Sequence, residues 1–210
     1  RLWRGEQEAA SPHQKELRHV TAEYNISSLA ACATVLEGQD LIASGALERG
    51  IDVVLSGLSE FRRLRAGLGW PWAMSLIAEG YRNAGRYDDA LRTVGEALAA
   101  VRRNDERHWE AELYRIKGEI LLASPSGSDL GASRALSRAL RVSRAQYARA
   151  LELRAALSLA RLKTRRGQEK EALRIAGSIR NLFREGATTS DVVAAERFLR
   201  EVNSRREKST

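Results

Sequence analysis

A set of small and apolar residues returns along this chain at a spacing of about 40. Few folds other than a stack of helical hairpins satisfy such a pattern. The clearest copy carries Ala78, Tyr81, Gly85, Ala90 and Ala97. One period earlier stand Gly38, Leu41, Gly45, Gly50 and Gly57. One period later come Gly118 and Leu121, then Ala132 and Ala139 after a longer turn. A further step reaches Ala160, Lys163, Gly167, Ala172 and Ile179, and Gly5 and Ala10 keep the same phase at the start. Small residues at fixed phase let two helices approach closely, while larger apolar residues between them fill the groove. The fold class this predicts is all-α: a right-handed α-solenoid of antiparallel helical hairpins, about ten helices in one domain over 1–210. Its units are expected at about 26–66, 70–104, 107–146 and 148–185. A partial unit over 1–24 should precede them and a capping helix over 189–203 should close them.

Local signals place the helices within these units. Pro12 suits the first position of a helix with Ser11 as its cap, and Asn25 ends that helix. Ile51, Leu55, Leu58 and Phe61 form an expected buried stripe after the Gly45 turn. Gly67, Gly69 and Pro71 break the chain before the next unit, where Tyr81, Ala84 and Leu91 should be buried and Tyr87 wedged at the turn. Trp109, Leu113, Ile116 and Ile120 repeat at helical spacing. The polar segment Ser124–Asp129 replaces the tight glycine turn, with Asp129 expected to cap the helix that follows. Gly186 should close the fourth unit, and Thr188 to Ser190 should cap a last helix through about Val202. Its apolar face would hold Val192, Ala195, Phe198 and Leu199, and the tail from Ser204 should fray.

Composition narrows the function. One cysteine, Cys32, excludes an internal disulfide, matches a cytoplasmic setting, and reads as a small core residue. No apolar run approaches the ~20 residues that span a bilayer, and no secretory signal is visible. The chain opens at Arg1, and its only methionine is Met74, so it reads as a piece of something larger. A net charge of +8 raises nucleic acid as a partner. However, Arg62, Arg63 and Arg65, Arg102 and Arg103, and Lys163, Arg165 and Arg166 all fall in last helical turns, where cations complement the helix dipole. No catalytic constellation stands out. Gly67-Leu68-Gly69 lacks a phosphate-binding lysine, and His13, His19 and His108 have no metal-ligand spacing. Pairs such as Asp88/Asp89 and Glu110/Glu112 sit in first turns. The chain is therefore expected to be non-enzymatic and to hold no cofactor or metal.

What remains is the concave face, which the first helix of each unit should line. Its exposed side chains are expected to be Glu79, Arg82 and Asn83, then Glu112, Arg115 and Glu119, then Arg154, Arg161 and Arg165. As a set they predict a polar, increasingly basic groove suited to an acidic or extended peptide.

The stretch Ala78, Tyr81, Gly85, Tyr87, Ala90 and Ala97 resembles a tetratricopeptide-like repeat, with Met74 where tryptophan is usual and units longer than that family's. A wider likeness runs through Trp109–Leu122, Glu152–Leu162, and Phe183, Gly186, Thr189 and Asp191. These segments resemble the C-terminal repeat region of bacterial STAND-type (NB-ARC-like) ATPase signalling proteins. In those proteins a winged-helix or class III adenylate cyclase domain lies at the other end. The resemblance implies a regulatory or protein-interaction region of a cytoplasmic signalling or transcriptional-regulator protein. Its partner would be a protein, a peptide or another part of its own parent chain, and catalysis would lie elsewhere. Two other readings of the residues stay open: nucleic-acid binding along a basic edge, and a structural oligomerisation domain.

Overall fold

The computed structural model describes residues 13, 16–21, 23–64, 69–181, 183 and 189–208, and all regular structure among them is helical. Residues 16–21 are helical ahead of the first complete hairpin. Four hairpins follow: α1 (Ser27–Ala43) with α2 (Leu47–Arg63), α3 (Trp70–Asn83) with α4 (Tyr87–Asn104), α5 (Glu110–Ala123) with α6 (Asp129–Ala145), and α7 (Arg149–Arg165) with α8 (Glu169–Arg180). A 3-10 turn, Arg107–Trp109, leads into α5, and α9 (Ser190–Lys208) is the last described helix. The expectations at Gly5, Ala10, Ser11, Pro12, Arg65, Gly67, Gly186 and Thr188 lie outside the described residues.

The helices stop where one residue can turn left-handed. Gly45, Gly85 and Gly167 hold φ of 91°, 76° and 70°, and each sits between two hydrogen bonds that close the preceding helix. At the first turn the Ala46 amide donates to the Leu41 carbonyl and the Gly45 amide to that of Ile42, at 2.9 and 3.2 Å. The pairs Arg86 to Tyr81 and Gly85 to Arg82, and Gln168 to Lys163 and Gly167 to Thr164, repeat the arrangement. This six-to-one plus five-to-two pattern satisfies the last carbonyls of a helix and favours glycine because no Cβ is present. The same turn recurs at Tyr147 with φ of 55°, which no glycine announces. Asn25, Gly45, Gly85, Asp105, Tyr147 and Gly167 all have positive φ, so the 40-residue repeat is two helix-and-turn halves of about 20.

Packing sorts the helices into two layers. The odd-numbered helices α1, α3, α5, α7 and α9 touch one another in succession, whereas consecutive even-numbered helices make at most marginal contact. The odd helices therefore form the inner layer. In the first hairpin the two backbones meet at glycine. A Cβ on Gly38 would stand 2.8 Å from the Gly50 carbonyl oxygen, and one on Gly50 would stand 2.9 Å from that of Gly38. Two apolar clusters fill the array. One runs from Ala31 through Ile120, the other from Ala132 through Val202, and Tyr114 packs against both.

Several local expectations need correction. Leu55 is 43% exposed, and the buried line of α2 is Ile51, Val54, Leu58 and Phe61. One residue is about 100° of helix, enough to carry Leu55 from the seam to its flank. Tyr81, Ala84 and Leu91 are half-buried, with the Arg86 guanidinium 4.4 Å above the Tyr81 ring, whereas Tyr87 packs against the core at the turn as expected. Ser128, not Asp129, caps α6, since its Oγ accepts from the Gly131 amide at 3.2 Å. Helix α9 runs through Lys208, past the expected end near Val202, where its buried apolar seam of Val192, Ala195, Phe198 and Val202 stops.

Candidate functional site on the inner helices

The inner layer forms a partly open cavity of about 140 Å³ to which five helices contribute. Gln39 comes from α1, and Trp72, Ser75, Leu76 and Glu79 come from α3. Trp109 and Glu112 come from the entry to α5, Arg154 from α7, and Ser190 and Asp191 from the first turn of α9. Ser75 ties two of the walls together. Its Oγ donates to the Trp72 carbonyl at 2.6 Å and accepts from Trp109 Nε1 at 2.8 Å.

Beside and behind this cavity runs an ion-pair network that crosses four inner helices. Arg115 Nη2 lies 2.8 Å from Glu112 Oε1 and 2.9 Å from Glu79 Oε1, and Arg115 Nε donates to Glu112 Oε2 at 3.0 Å. Arg115 Nη1 stands 3.9 Å from Glu119 Oε1. Arg154 Nη1 reaches Glu112 Oε1 at 2.8 Å, and Arg154 Nε faces Asp191 Oδ1 at 3.8 Å. Burial alone would push the Glu112 carboxyl up, but Arg115 and Arg154 outweigh it and hold the group below the ordinary carboxylate range. For Arg115, burial opposes the charge and the carboxylates of Glu112, Glu79 and Glu119 restore it, so its affinity for the proton rises. Asp191 goes the other way. Its partial burial raises its carboxyl, and the Glu112 charge adds to that against the opposing pull of Arg154.

The nine residues expected to face outward on the inner helices divide into two groups. The structure joins Glu79, Glu112, Arg115, Glu119 and Arg154 in the network. Two of these are not surface residues: Glu112 is 2% and Arg115 8% exposed, because α5 is sandwiched between α3 and α7. Arg82, half-buried on α3, donates to the Asn83 side-chain oxygen and acts on Glu112 through its charge. Asn83, Arg161 and Arg165 are exposed and stand outside the network. The expected rise in positive charge along the groove does not hold at its centre, where Glu79, Glu112 and Asp191 line the cavity against Arg154.

Sequence reasoning missed Gln39, Trp72, Trp109 and Asp191, although a signal for the first two exists. Trp72, Glu112 and Arg154 occupy one phase of the repeat, and Gln39, Glu79, Glu119 and Arg161 occupy another. Equivalent positions on successive inner helices face the same space, so their differing chemistry meets there. A second set of buried carboxylates is also periodic. Glu110 and Glu152 sit in the first turns of α5 and α7, paired with Arg107 at 3.8 Å and Arg149 at 2.8 Å, each three residues earlier.

Elsewhere some of the basic side chains are engaged. Arg63 pairs with Glu60, Lys163 with Glu171 and Arg166 with Asp129, at 2.8, 3.0 and 3.1 Å. The Arg62 guanidinium lies 5.2 Å from the Trp70 ring centre, while Arg102 and Arg103 are exposed. Cys32 is half-buried, and that burial pushes its thiol up, away from the reactive thiolate. Among the described residues no group of histidine, cysteine and carboxylate side chains is placed to hold a metal ion. None of the described helices is long and apolar enough to cross a membrane. No protein-family model matches the chain, and no curated protein matches its sequence.

Proposed function

We propose that this chain is a non-catalytic regulatory region that binds a protein, peptide or small effector on its inner face. The observation that carries this reading is the cavity to which α1, α3, α5, α7 and α9 all contribute. A ligand seated there touches every hairpin, so its affinity depends on how the hairpins pack against one another. Ligand binding and a shift between packings are then thermodynamically linked. The resemblance of Trp109–Leu122 and Glu152–Leu162 to the repeat regions of bacterial STAND-type signalling proteins supports a cytoplasmic sensor or scaffold role. In that role ATPase, cyclase or DNA-binding activity belongs to other parts of a parent protein.

Nucleic-acid binding along a basic edge has less support, since Arg63, Lys163 and Arg166 are already paired within the chain. The test is capture from native lysate on the immobilised chain, in parallel with two charge-reversed variants. One carries Glu79→Lys and Asp191→Lys at the cavity on inner helices; the other carries Arg63→Glu and Arg103→Glu on outer ones. The inner-face reading expects a nuclease-resistant protein partner that the first variant loses and the second retains. Capture indifferent to the inner substitutions, or abolished by nuclease, would overturn it.

A further inference from the structure

The outer helices α2 and α4 make at most marginal contact, and a partly open groove of about 280 Å³ lies between them. Its floor is the line Trp70, Met74, Ile77 and Tyr81 of α3, one residue per helical turn over about 16 Å. Leu55 and Leu58 stand on the α2 wall, where Leu55 is 43% exposed. A cation stacks at each end: Arg62 lies 5.2 Å from the Trp70 ring centre and Arg86 4.4 Å from that of Tyr81. The next groove of the array, between α4 and α6, is built differently. There Arg138 reaches from α6 over the floor helix α5, 5.8 Å from the Tyr114 ring centre and 3.9 Å from Glu110. Trp70 and Met74 hold the repeat positions of Glu110 and Tyr114, as Ala78 holds that of Gly118. Glu96 holds the position of Arg138, as Ala90 holds that of Ala132. A glutamate is shorter, has the wrong sign to lie on an aromatic face, and would lose hydration over an apolar floor. The chain thus lays its own side chain across the second groove and not across the first. Two charges flank the open one. Arg62 on α2 and Glu96 on α4 are exposed, and among the described residues neither has an ion-pair partner.

We propose that the groove between α2 and α4 docks an amphipathic helix of a partner protein. The helix inserts an apolar side chain against Leu55, Met74 and Ile77, pairs an acidic residue with Arg62, and pairs a basic residue with Glu96. Opposite charges on the two walls set its direction, because a helix laid the other way round brings like charges together. This surface is separate from the inner cavity. Trp72, Ser75, Leu76 and Glu79 of α3 line the cavity, while Trp70, Met74, Ile77 and Tyr81 line the groove. The inference therefore stands or falls independently of the inner-face reading.

The experiment selects from a displayed library of helical peptides, each about four turns long, against the whole 210-residue chain, and measures the affinity of the selected peptides by fluorescence anisotropy. The selected sequences are expected to carry apolar residues at helical spacing, with one acidic and one basic residue at a fixed offset. Glu96→Arg gives α4 the residue that α6 has at the equivalent position, and it should bind these peptides at least about tenfold more weakly. The double variant Arg62→Glu with Glu96→Lys should prefer peptides whose two charges are exchanged, a reversal that loss of folding cannot produce. A selection that enriches nothing, peptides indifferent to Glu96→Arg, or a double variant that keeps the parent's preference would overturn the proposal. Sedimentation equilibrium of the chain alone tests a second copy as the occupant. A dimer that Glu96→Arg dissociates would overturn the partner helix, whereas a concentration-independent monomer supports it.

Discussion

In α3 every residue from Pro71 to Ala78 is buried, whereas in the adjoining α4 burial follows one seam through Ala90, Val94, Ala97, Leu98 and Val101. The two helices belong to one hairpin, so the difference comes from their neighbours. Helix α3 packs against its own partner, the preceding outer helix and the inner helices on both sides, while α4 leaves a broad face in water. A polar group on an inner helix therefore has to find its partner inside the protein. Glu112 and Arg115 do so, and their ion pair is shielded from solvent. The pairs of the outer helices, such as Arg63 with Glu60, are roughly half in solvent and are screened by it. Similar residue types thus have different energetic weight in the two layers.

The sharpest way to break this comparison is to remove one member of each kind of pair. Arg115→Met should leave Glu79 and Glu112 without their shared buried partner and destabilise the chain by about 3–5 kcal/mol in urea unfolding. A loss under about 1 kcal/mol would mean that the inner network is solvated like a surface one. The same network sets a dependence on acid. Glu112 has its folded pKa below the unfolded value, so its contribution is complete above the unfolded carboxylate range and is lost as pH falls through the folded value. Stability should therefore fall below about pH 4.5 by an amount that Glu112→Gln largely removes, measured by urea midpoints across the acid range.

A smaller effect, of opposite sign at a helix contact and on an open helix face, comes from adding one methyl group. Gly38→Ala places a Cβ within 2.8 Å of backbone atoms on α2 and should destabilise by about 1–3 kcal/mol. Gly95 lies on the exposed face of α4, and a Cβ added there would meet nothing within 4 Å. Gly95→Ala should therefore stabilise by about 0.5–1 kcal/mol through helix propensity. Thermal melts that shift both variants in one direction would contradict the close contact of α1 with α2 at Gly38. Smallest of all, Glu60→Gln on α2 should change stability by less than about 1 kcal/mol, and that change should vanish in high salt.

Legibility in the sequence followed the same division. The outer helices announce themselves, because a helix with one buried face must alternate apolar and polar residues at the helical period. The inner helices are read less easily, since burial on several sides leaves no single stripe. Glu112 and Arg115 illustrate the difficulty. A charged residue on a predicted helix is ordinarily a surface residue, and only the approach of α3 and α7 makes these two internal. Turns show a similar split: glycine marks the left-handed positions at 45, 85 and 167, but Tyr147 adopts the same conformation without a local signal.

By itself the sequence determined the all-helical repeat, its period and most of its turns, because helical periodicity, glycine at left-handed positions and small residues at contacts act over a few residues at a time. The tertiary structure alone decided which charges lie inside, how Glu79, Glu112, Arg115 and Arg154 share their protons and bonds, and that a cavity opens among five helices. Those properties depend on distances between side chains about 40 or more residues apart, and such distances exist only once the hairpins have stacked.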